Sequence, residues 1–417
     1  MPTIHNSHKQ LHMKKTLITA AIALLSLAAS GQPFKGTWTG KLSVQDIELT
    51  MVLHIGEVCT LDVPAQGAKD IPVEITGTES AQVKLSIPML GASYEGLYLS
   101  NTIVGTFRQV GMEFPLTFKR GKPAANRPQT PKPPFPYNTE EVTFTNSDAV
   151  LSGTLTTPHG MSEETPIVLM VSGSGLQNRD EEIFEHKPFA IIADVLAKNG
   201  IASLRYDDRG YGKSTGDASN ATTKTFMEDA HAGVTYLRSL GFKHVGVLGH
   251  SEGGTIAFML AADGVTDFII SMAGMAETGE KTLLDQTIRI AVLTGMSGQD
   301  AKAYAENVIS HTKATGNAYM QYLMALDPAP YISEVKCPVL AINGEKDSQV
   351  LCENHLTVIR TLVPHADTKA YPELNHMFQH CTTGHPTEYY NIEETISPEV
   401  PADIAEWINS LHANKNQ

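Results

Sequence analysis

One serine in this chain is set between glycines in a way that suits covalent catalysis. Gly249-His250-Ser251-Glu252-Gly253 follows the apolar run Val245-Gly246-Val247-Leu248 and precedes Gly254-Thr255-Ile256-Ala257-Phe258-Met259-Leu260, a helical stretch. G-x-S-x-G between a strand and a helix is the pattern of a nucleophile elbow. The turn must be sharp, and side chains beside the serine would clash, so glycines flank it. The competing reading is a Gly-rich packing turn with an incidental serine. The strand–turn–helix context favours the elbow.

A serine needs a base, and the base needs an acid to orient it. Downstream, Pro338-Val339-Leu340-Ala341-Ile342 reads as a buried strand that runs into Asn343-Gly344-Glu345-Lys346-Asp347. Asp347 lies just past the strand end, with Glu345 as its rival. The next strand, ending near Tyr371, leads to Pro372-Glu373-Leu374-Asn375-His376. His376 is the expected base, with His380 and His385 further into the same loop as rivals. Two backbone donors are expected for an oxyanion. One is the N–H of Glu252. The other is the N–H of Ser174, or alternatively of Gly175, in Ser172-Gly173-Ser174-Gly175 after the run Ile167–Val171.

These groups need a scaffold, and the apolar pattern supplies one. Short runs at 167–171, 201–205, 245–248, 268–272, 339–342 and 368–371 alternate with helical patterns. Two β-rich stretches, 141–145 and 150–156, precede them. Alternation of this kind predicts a mostly parallel eight-stranded sheet with helices on both faces. Residues 276–334 are helical in pattern and hold no strand. They are expected to form a small cap above the C-terminal strand ends, narrowing the entrance and favouring short acyl groups.

Upstream, residues 32–120 read as a small all-β domain, a barrel or a sandwich. Ile47, Leu49, Met51, Leu53 and Ile55 alternate with period two, as do 83–87 and 114–118. Residues 121–136 carry six prolines in sixteen positions and predict an extended linker between this domain and a catalytic domain at 137–417. Met13-Lys14-Lys15, the apolar run 17–29 and the small residues around Ala28-Ala29-Ser30-Gly31 read as a signal peptide spanning 1–31. Export to the periplasm or the outside follows, with no stable membrane span after cleavage; an uncleaved anchor is the alternative. With no cysteine at the cleavage site, a lipid anchor is not expected.

From these residues the chain resembles the α/β-hydrolase superfamily over about residues 140–412, and within it a group of secreted bacterial carboxylesterases with an N-terminal β-rich extension. The resemblance rests on Ser172–Gly175 with Asn178-Arg179-Asp180-Glu181, on Arg205-Tyr206-Asp207-Asp208-Arg209-Gly210-Tyr211-Gly212-Lys213-Ser214, and on the elbow. It extends to Asn375-His376-Met377-Phe378-Gln379, Thr383-Gly384, Glu388-Tyr389 and 392–398. It implies the α/β-hydrolase fold, a Ser251–Asp347–His376 triad, esterase activity and no cofactor. Ser172 departs from the pattern, standing where many relatives carry a histidine.

Other signals exclude more than they add. Gly210-Tyr211-Gly212-Lys213-Ser214 ends like a phosphate-binding loop, but the position of its first glycine is Asp207. Asp207 and Arg209 are instead expected to brace the loop. His376, His380, Cys381 and His385 are spaced like metal ligands, yet a histidine serving as base is not available to a metal, so no metal is expected. Lys+Arg total 31 against 45 Asp+Glu, a net charge of −14, and no basic footprint for nucleic acid exists. Of the four cysteines, Cys352 and Cys381 are candidates for a pair in an exported protein, while Cys59 and Cys337 are expected to be buried and free. The expected substrate is a small-molecule or glycan-linked ester. The rivals are a serine peptidase of prolyl-oligopeptidase type, whose propeller some 90 residues of β structure could not build, and a binding protein with an inert hydrolase half.

Overall fold

The runs of buried aliphatic residues fold as continuous strands in the computed structural model of the chain. It describes residues 34–44, 47–66, 68–77, 81–99, 101–121 and 126–413. The signal-peptide reading of 1–31 lies outside the described residues. The chain divides into two units, Met1–Ala124 and Ala125–Gln417.

In the first unit the alternating segments form nine antiparallel strands: β1 (Gly36–Val44), β2 (Ile47–Ile55), β3 (Thr60–Val63), β4 (Ala68–Pro72), β5 (Glu74–Gly77), β6 (Gln82–Ile87), β7 (Ala92–Leu99), β8 (Thr102–Gln109) and β9 (Met112–Arg120). They make one continuous sheet in the order β4-β3-β2-β1-β9-β8-β7-β6-β5. Trp38, Leu53, Leu61, Val83, Tyr94, Ile103 and Leu116, from strands across the whole sheet, share a single core. One sheet can bring such distant strands to one cluster only by curling around it. The Tyr94 hydroxyl sits inside and donates to the carbonyls of Ile103 and Leu116, 3.0 and 3.1 Å away, so its burial leaves no unmet polar group.

In the second unit, β10 (Asn138–Asn146) and β11 (Ala149–Thr157) form a hairpin, and β12 (Ile167–Val171), β13 (Ala202–Tyr206), β14 (Val245–His250), β15 (Phe268–Met272), β16 (Val339–Gly344) and β17 (Asp367–Tyr371) follow. The order is β10-β11-β13-β12-β14-β15-β16-β17. β13 meets β11 antiparallel, and every pair from β13 to β17 is parallel. Central strands buried on both faces explain why the sequence shows unbroken apolar runs there. Helices α1 (Pro188–Lys198), α2 (Thr223–Ser239) and α3 (Glu252–Ala262) come between the strands. α4 (Gly279–Leu293), α5 (Gly298–Thr315), α6 (Ala318–Ala325) and α7 (Ala329–Ser333) form the insertion between β15 and β16, and α8 (Cys352–Leu362) and α9 (Glu399–Ala413) complete the set. α1 and α9 pack on one face through Phe189, Ile192, Val400, Ile404 and Ile408. α2, α3 and α8 pack on the other through Val234, Leu237, Ile256, Leu356 and Ile359.

The unit boundary falls inside the Pro-rich stretch 121–136. Residues 126–136 belong to the second unit and are tied to it by Arg127, whose guanidinium donates to the carbonyls of Phe184, Tyr390 and Ile392 at 2.9 Å each. All four cysteines are free. Cys352 and Cys381 are not joined: Cys352 is buried at the start of α8, and the Cys381 thiol donates to the carbonyl of Glu373. Cys59 and Cys337 are half-buried rather than buried, since both lie in connections at strand ends.

Candidate active site

Ser251 occupies the turn between β14 and α3 with φ 54° and ψ −119°, a left-handed backbone that costs a non-glycine residue of order 1–3 kcal/mol. Its neighbours show why glycine is needed. A Cβ on Gly253 would lie 2.1 Å from the Val171 carbonyl oxygen, and one on Gly249 would lie 1.9 Å from that of Gly253. The Ser251 N–H donates to the Met272 carbonyl at 2.8 Å, tying the elbow to β15. Ser251 is half-buried, whereas His250 and Glu252 on either side are buried, so the serine is the member of the turn that reaches solvent.

Asp347 and His376 are brought together. His376 Nδ1 lies 2.7 Å from Asp347 Oδ2, with both side chains almost fully buried. The other carboxylate oxygen, Oδ1, accepts from the N–H groups of Gln349 at 2.7 Å and Val350 at 2.9 Å. Glu345, the rival acid, is exposed. His380 pairs with Glu394 on the surface, and His385 bonds Thr387. The loop carrying His376 is itself held, because Asn375 Oδ1 accepts from the N–H groups of Met377 and Gln379, each at 3.0 Å. Three further non-glycine residues around the site have left-handed backbones: Glu181 (φ 51°), Ala273 (φ 49°) and Phe378 (φ 57°). Strain gathered at one place is characteristic of functional sites.

On the other side of Ser251 is the loop 172–175. A Cβ on Gly173 would stand 3.2 Å from that of Ser251. The Gly173 N–H is already committed to Glu181 Oε1 at 2.8 Å. Ser174 and Gly175 lie close to the hydroxyl of Tyr319 in α6. That hydroxyl donates to Glu252 Oε2. Burial, then the Glu252 charge, pushes the Tyr319 phenol far above its ordinary value, so it stays a donor. Glu252 Oε1 is buried without a hydrogen-bond partner. Behind the loop, Asp208 accepts from Ser172 Oγ at 3.1 Å and from Gln177 N–H at 2.8 Å, and burial pushes its carboxyl up to about 8.

Asp207 and Arg209 do brace the following loop. Asp207 accepts from the Arg179 guanidinium and from the N–H of Lys213, and Arg209 makes a two-pronged pair with Asp229 at 2.7 and 2.6 Å. Among the described residues no group of three or more His, Cys, Asp or Glu could hold a metal ion, and no helix is long and apolar enough to cross a membrane. Sequence reasoning missed Tyr319 and the contact between Glu181 and His250. His250 was visible within the elbow motif, but nothing in the pattern pointed to its partner.

A half-exposed serine on a strained strand–helix turn, in a mostly parallel sheet with a buried carboxylate–imidazole pair after β16 and β17, gives the chain the α/β-hydrolase fold. More particularly, residues 185–380, which include Ser251, Asp347 and His376, match the family described as serine aminopeptidase, S33. Esterase EstD of Thermotoga maritima is 28% identical over 273 residues, covering 62% of this chain and 65% of that protein. Serine hydrolase BPHL of Mus musculus is 27% identical over 179 residues, covering 39% of this chain and 59% of that protein. The chain thus spans less than two thirds of the length of either relative. Among solved structures, Est1E from Butyrivibrio proteoclasticus with ferulic acid bound is similar at TM-score 0.46 and 19% identity, covering 64% of this chain and 98% of that one. Proline iminopeptidase of Mycobacterium smegmatis is similar at TM-score 0.47 and 17% identity, covering 66% and 100%.

Proposed function

We propose that this chain is an exported serine esterase acting on carboxylic esters of short acyl chains, free or glycan-linked. The observation that carries the reading is the buried Asp347–His376 pair, 2.7 Å apart, whose histidine carbonyl is bonded by His250, the residue just before the half-exposed Ser251. In the cycle, Ser251 Oγ attacks the ester carbonyl carbon as His376 Nε2 takes its proton. Asp347 holds the Nδ1–H and so keeps Nε2 free to accept. The N–H groups of Glu252 and of Ser174 or Gly175 stabilise the oxyanion. The tetrahedral intermediate collapses, and the alkoxide leaves with the proton from His376. Water then attacks the acyl-enzyme by the same route, releasing the acid and restoring the serine. The cycle calls on no cofactor.

The match described as serine aminopeptidase favours a second reading, in which the scissile bond is an amide. The same nucleophile serves both. The test is a panel of p-nitrophenyl esters from acetyl to long chain, with feruloylated and acetylated glycans, run against aminoacyl and peptidyl p-nitroanilides. Fluorophosphonate labelling is followed in parallel. Ester turnover with labelling, both lost in Ser251→Ala by on the order of 10⁶ in kcat, is the expected result. If Ser251→Ala kept more than a tenth of wild-type turnover, the nucleophile would be another residue. Turnover of anilides alone would favour the peptidase.

A further inference from the structure

One buried polar cluster is left unused by this cycle. His250, next to Ser251 in the chain, points its Nδ1 at Glu181 Oε1, 3.0 Å away, and its Nε2 at the backbone carbonyl oxygen of His376, 2.9 Å away. The same Glu181 oxygen accepts the Gly173 N–H at 2.8 Å. Glu181 is 1% exposed and His250 4%. The rings of His250 and His376 lie 4.8 Å apart.

We propose that Glu181 and His250 form a buried ion pair, His250 held as an imidazolium, that positions the oxyanion loop and the His376 loop on either side of Ser251. The proposal rests on reading Ser251, Asp347 and His376 as the triad. The argument begins with hydrogen-bond capacity. A carboxylate oxygen and a carbonyl oxygen only accept, so both ring nitrogens of His250 must donate, and only the cation carries two N–H groups. Two other buried histidines show the contrast. His186 meets the Tyr389 carbonyl on one nitrogen and a hydroxyl on the other, and His355 accepts the N–H of Ala276. Each needs only one N–H, and burial pushes each down to about 4. Burial opposes the charge of His250 as well. The Glu181 carboxylate and the bond to the His376 carbonyl outweigh it and hold His250 above its ordinary value.

Among the described residues, Glu181 is the one carboxylate in direct contact with His250. The charged or titratable groups facing His250 are Glu181, Asp347 and His376. The small cavity that His250 and Glu181 line is otherwise walled by apolar side chains, among them Phe189 and Ile192 of α1, Met272 of β15, and Phe378. In such a setting an unpaired charge would be expelled, whereas a paired one is locked. The left-handed backbone of Glu181 is the local cost of bringing the carboxylate to this point. One pair thereby fixes three segments: Gly173 before the proposed oxyanion donors, His250 before the nucleophile, and the carbonyl of His376.

The device has a pH sign. A neutral His250 keeps one N–H and cannot hold both Glu181 and the His376 loop. Because its pKa is raised, the full bridge is present on the acid side and is lost as pH rises through the native value. The test is the pH dependence of ester hydrolysis in Glu181→Gln, which is near-isosteric and still accepts the Gly173 N–H. Without the carboxylate charge, His250 sheds its proton earlier. The alkaline fall in kcat is expected to move at least about one pH unit towards acid, with a loss of roughly 10–100-fold above it, little change in KM, and near wild-type kcat on the acid side. A superimposable pH profile would overturn the proposal. In addition, ¹⁵N-histidine NMR of the wild-type protein near neutral pH should show both ring nitrogens of His250 protonated, the signal being assigned by its loss in His250→Gln. A bare ring nitrogen there would also overturn it. Ser251→Ala separates the two readings: turnover in that variant would sink the triad assignment, while the NMR result tests the ion pair whichever residue is the nucleophile.

Discussion

Replacing Asp347 by Asn tests the acid of the site with almost no change in shape. In the native arrangement Oδ1 accepts two backbone N–H groups, from Gln349 and Val350, and Oδ2 faces His376 Nδ1. An amide has one oxygen and one NH₂. Turning the NH₂ towards Gln349 and Val350 would set donors against donors and strand two buried amides, at about 1–3 kcal/mol each. The amide oxygen therefore stays on the backbone pair, and the NH₂ must face His376. Nδ1 then has to accept, the ring proton moves to Nε2, and Nε2 can no longer take the proton of Ser251. Loss of the productive tautomer costs on the order of 10⁴ in kcat, which is about 5.4 kcal/mol of barrier. The assay is p-nitrophenyl acetate hydrolysis normalised to folded protein by circular dichroism, with Glu345→Gln as the control. Glu345 is exposed, so its variant should stay within about twofold of wild type, as surface changes usually do. Asp347→Asn with more than a tenth of native turnover, or Glu345→Gln as the worse variant, would refute the reasoning.

Asp208 offers a stability test with a pH sign. Its carboxyl is raised to about 8 by burial, so the native state keeps a proton that the unfolded chain releases. Stability should fall as pH rises from the ordinary carboxylate range to about 8, and Asp208→Asn should remove that slope; urea titrations at pH 4 and pH 8 should show no gain at the first and a gain at the second. In the cap, Met320 packs with Tyr319, Met275, Leu323 and Val350, just beyond the Asp347 loop. Met320→Ala opens room for about two methylenes at about 0.8 kcal/mol each, so the kcat/KM ratio of octanoyl to acetyl ester should rise ~10-fold; an unchanged ratio would place chain-length selection elsewhere. Arg127→Ala removes bonds to three carbonyls and should lower unfolding free energy by about 2 kcal/mol. A midpoint in urea equal to that of wild type would show that the 126–136 segment does not clamp the second unit.

Much of the second unit was determined by local sequence. The strands β12 to β16 are buried almost entirely on both faces, and such strands are apolar with few interruptions, so each stood out as a run. The cap helices begin at Thr278, Ser297 and Asn317, whose side chains accept from the N–H three residues on, the chemistry expected of a helix start. Ser251 was legible because the crowding at Gly249 and Gly253 admits no other residue type, and that demand is written in the chain itself. Tertiary structure decided what depends on direction. Glu345 and Asp347 are two residues apart in the same turn, and only the path of the chain beyond Gly344 turns the second inward onto two backbone amides and His376. Strands β2, β6 and β9 of the first unit showed their period but not their partners, because period two fixes which face is buried and says nothing about whether one sheet or two closes the core. The contacts of Glu181 with His250 and of Glu252 with Tyr319 join residues 69 and 67 positions apart. No spacing rule links side chains that distant: a period fixes neighbours along one element, whereas these meet because the parallel strands deliver the segments that follow them to one end of the sheet.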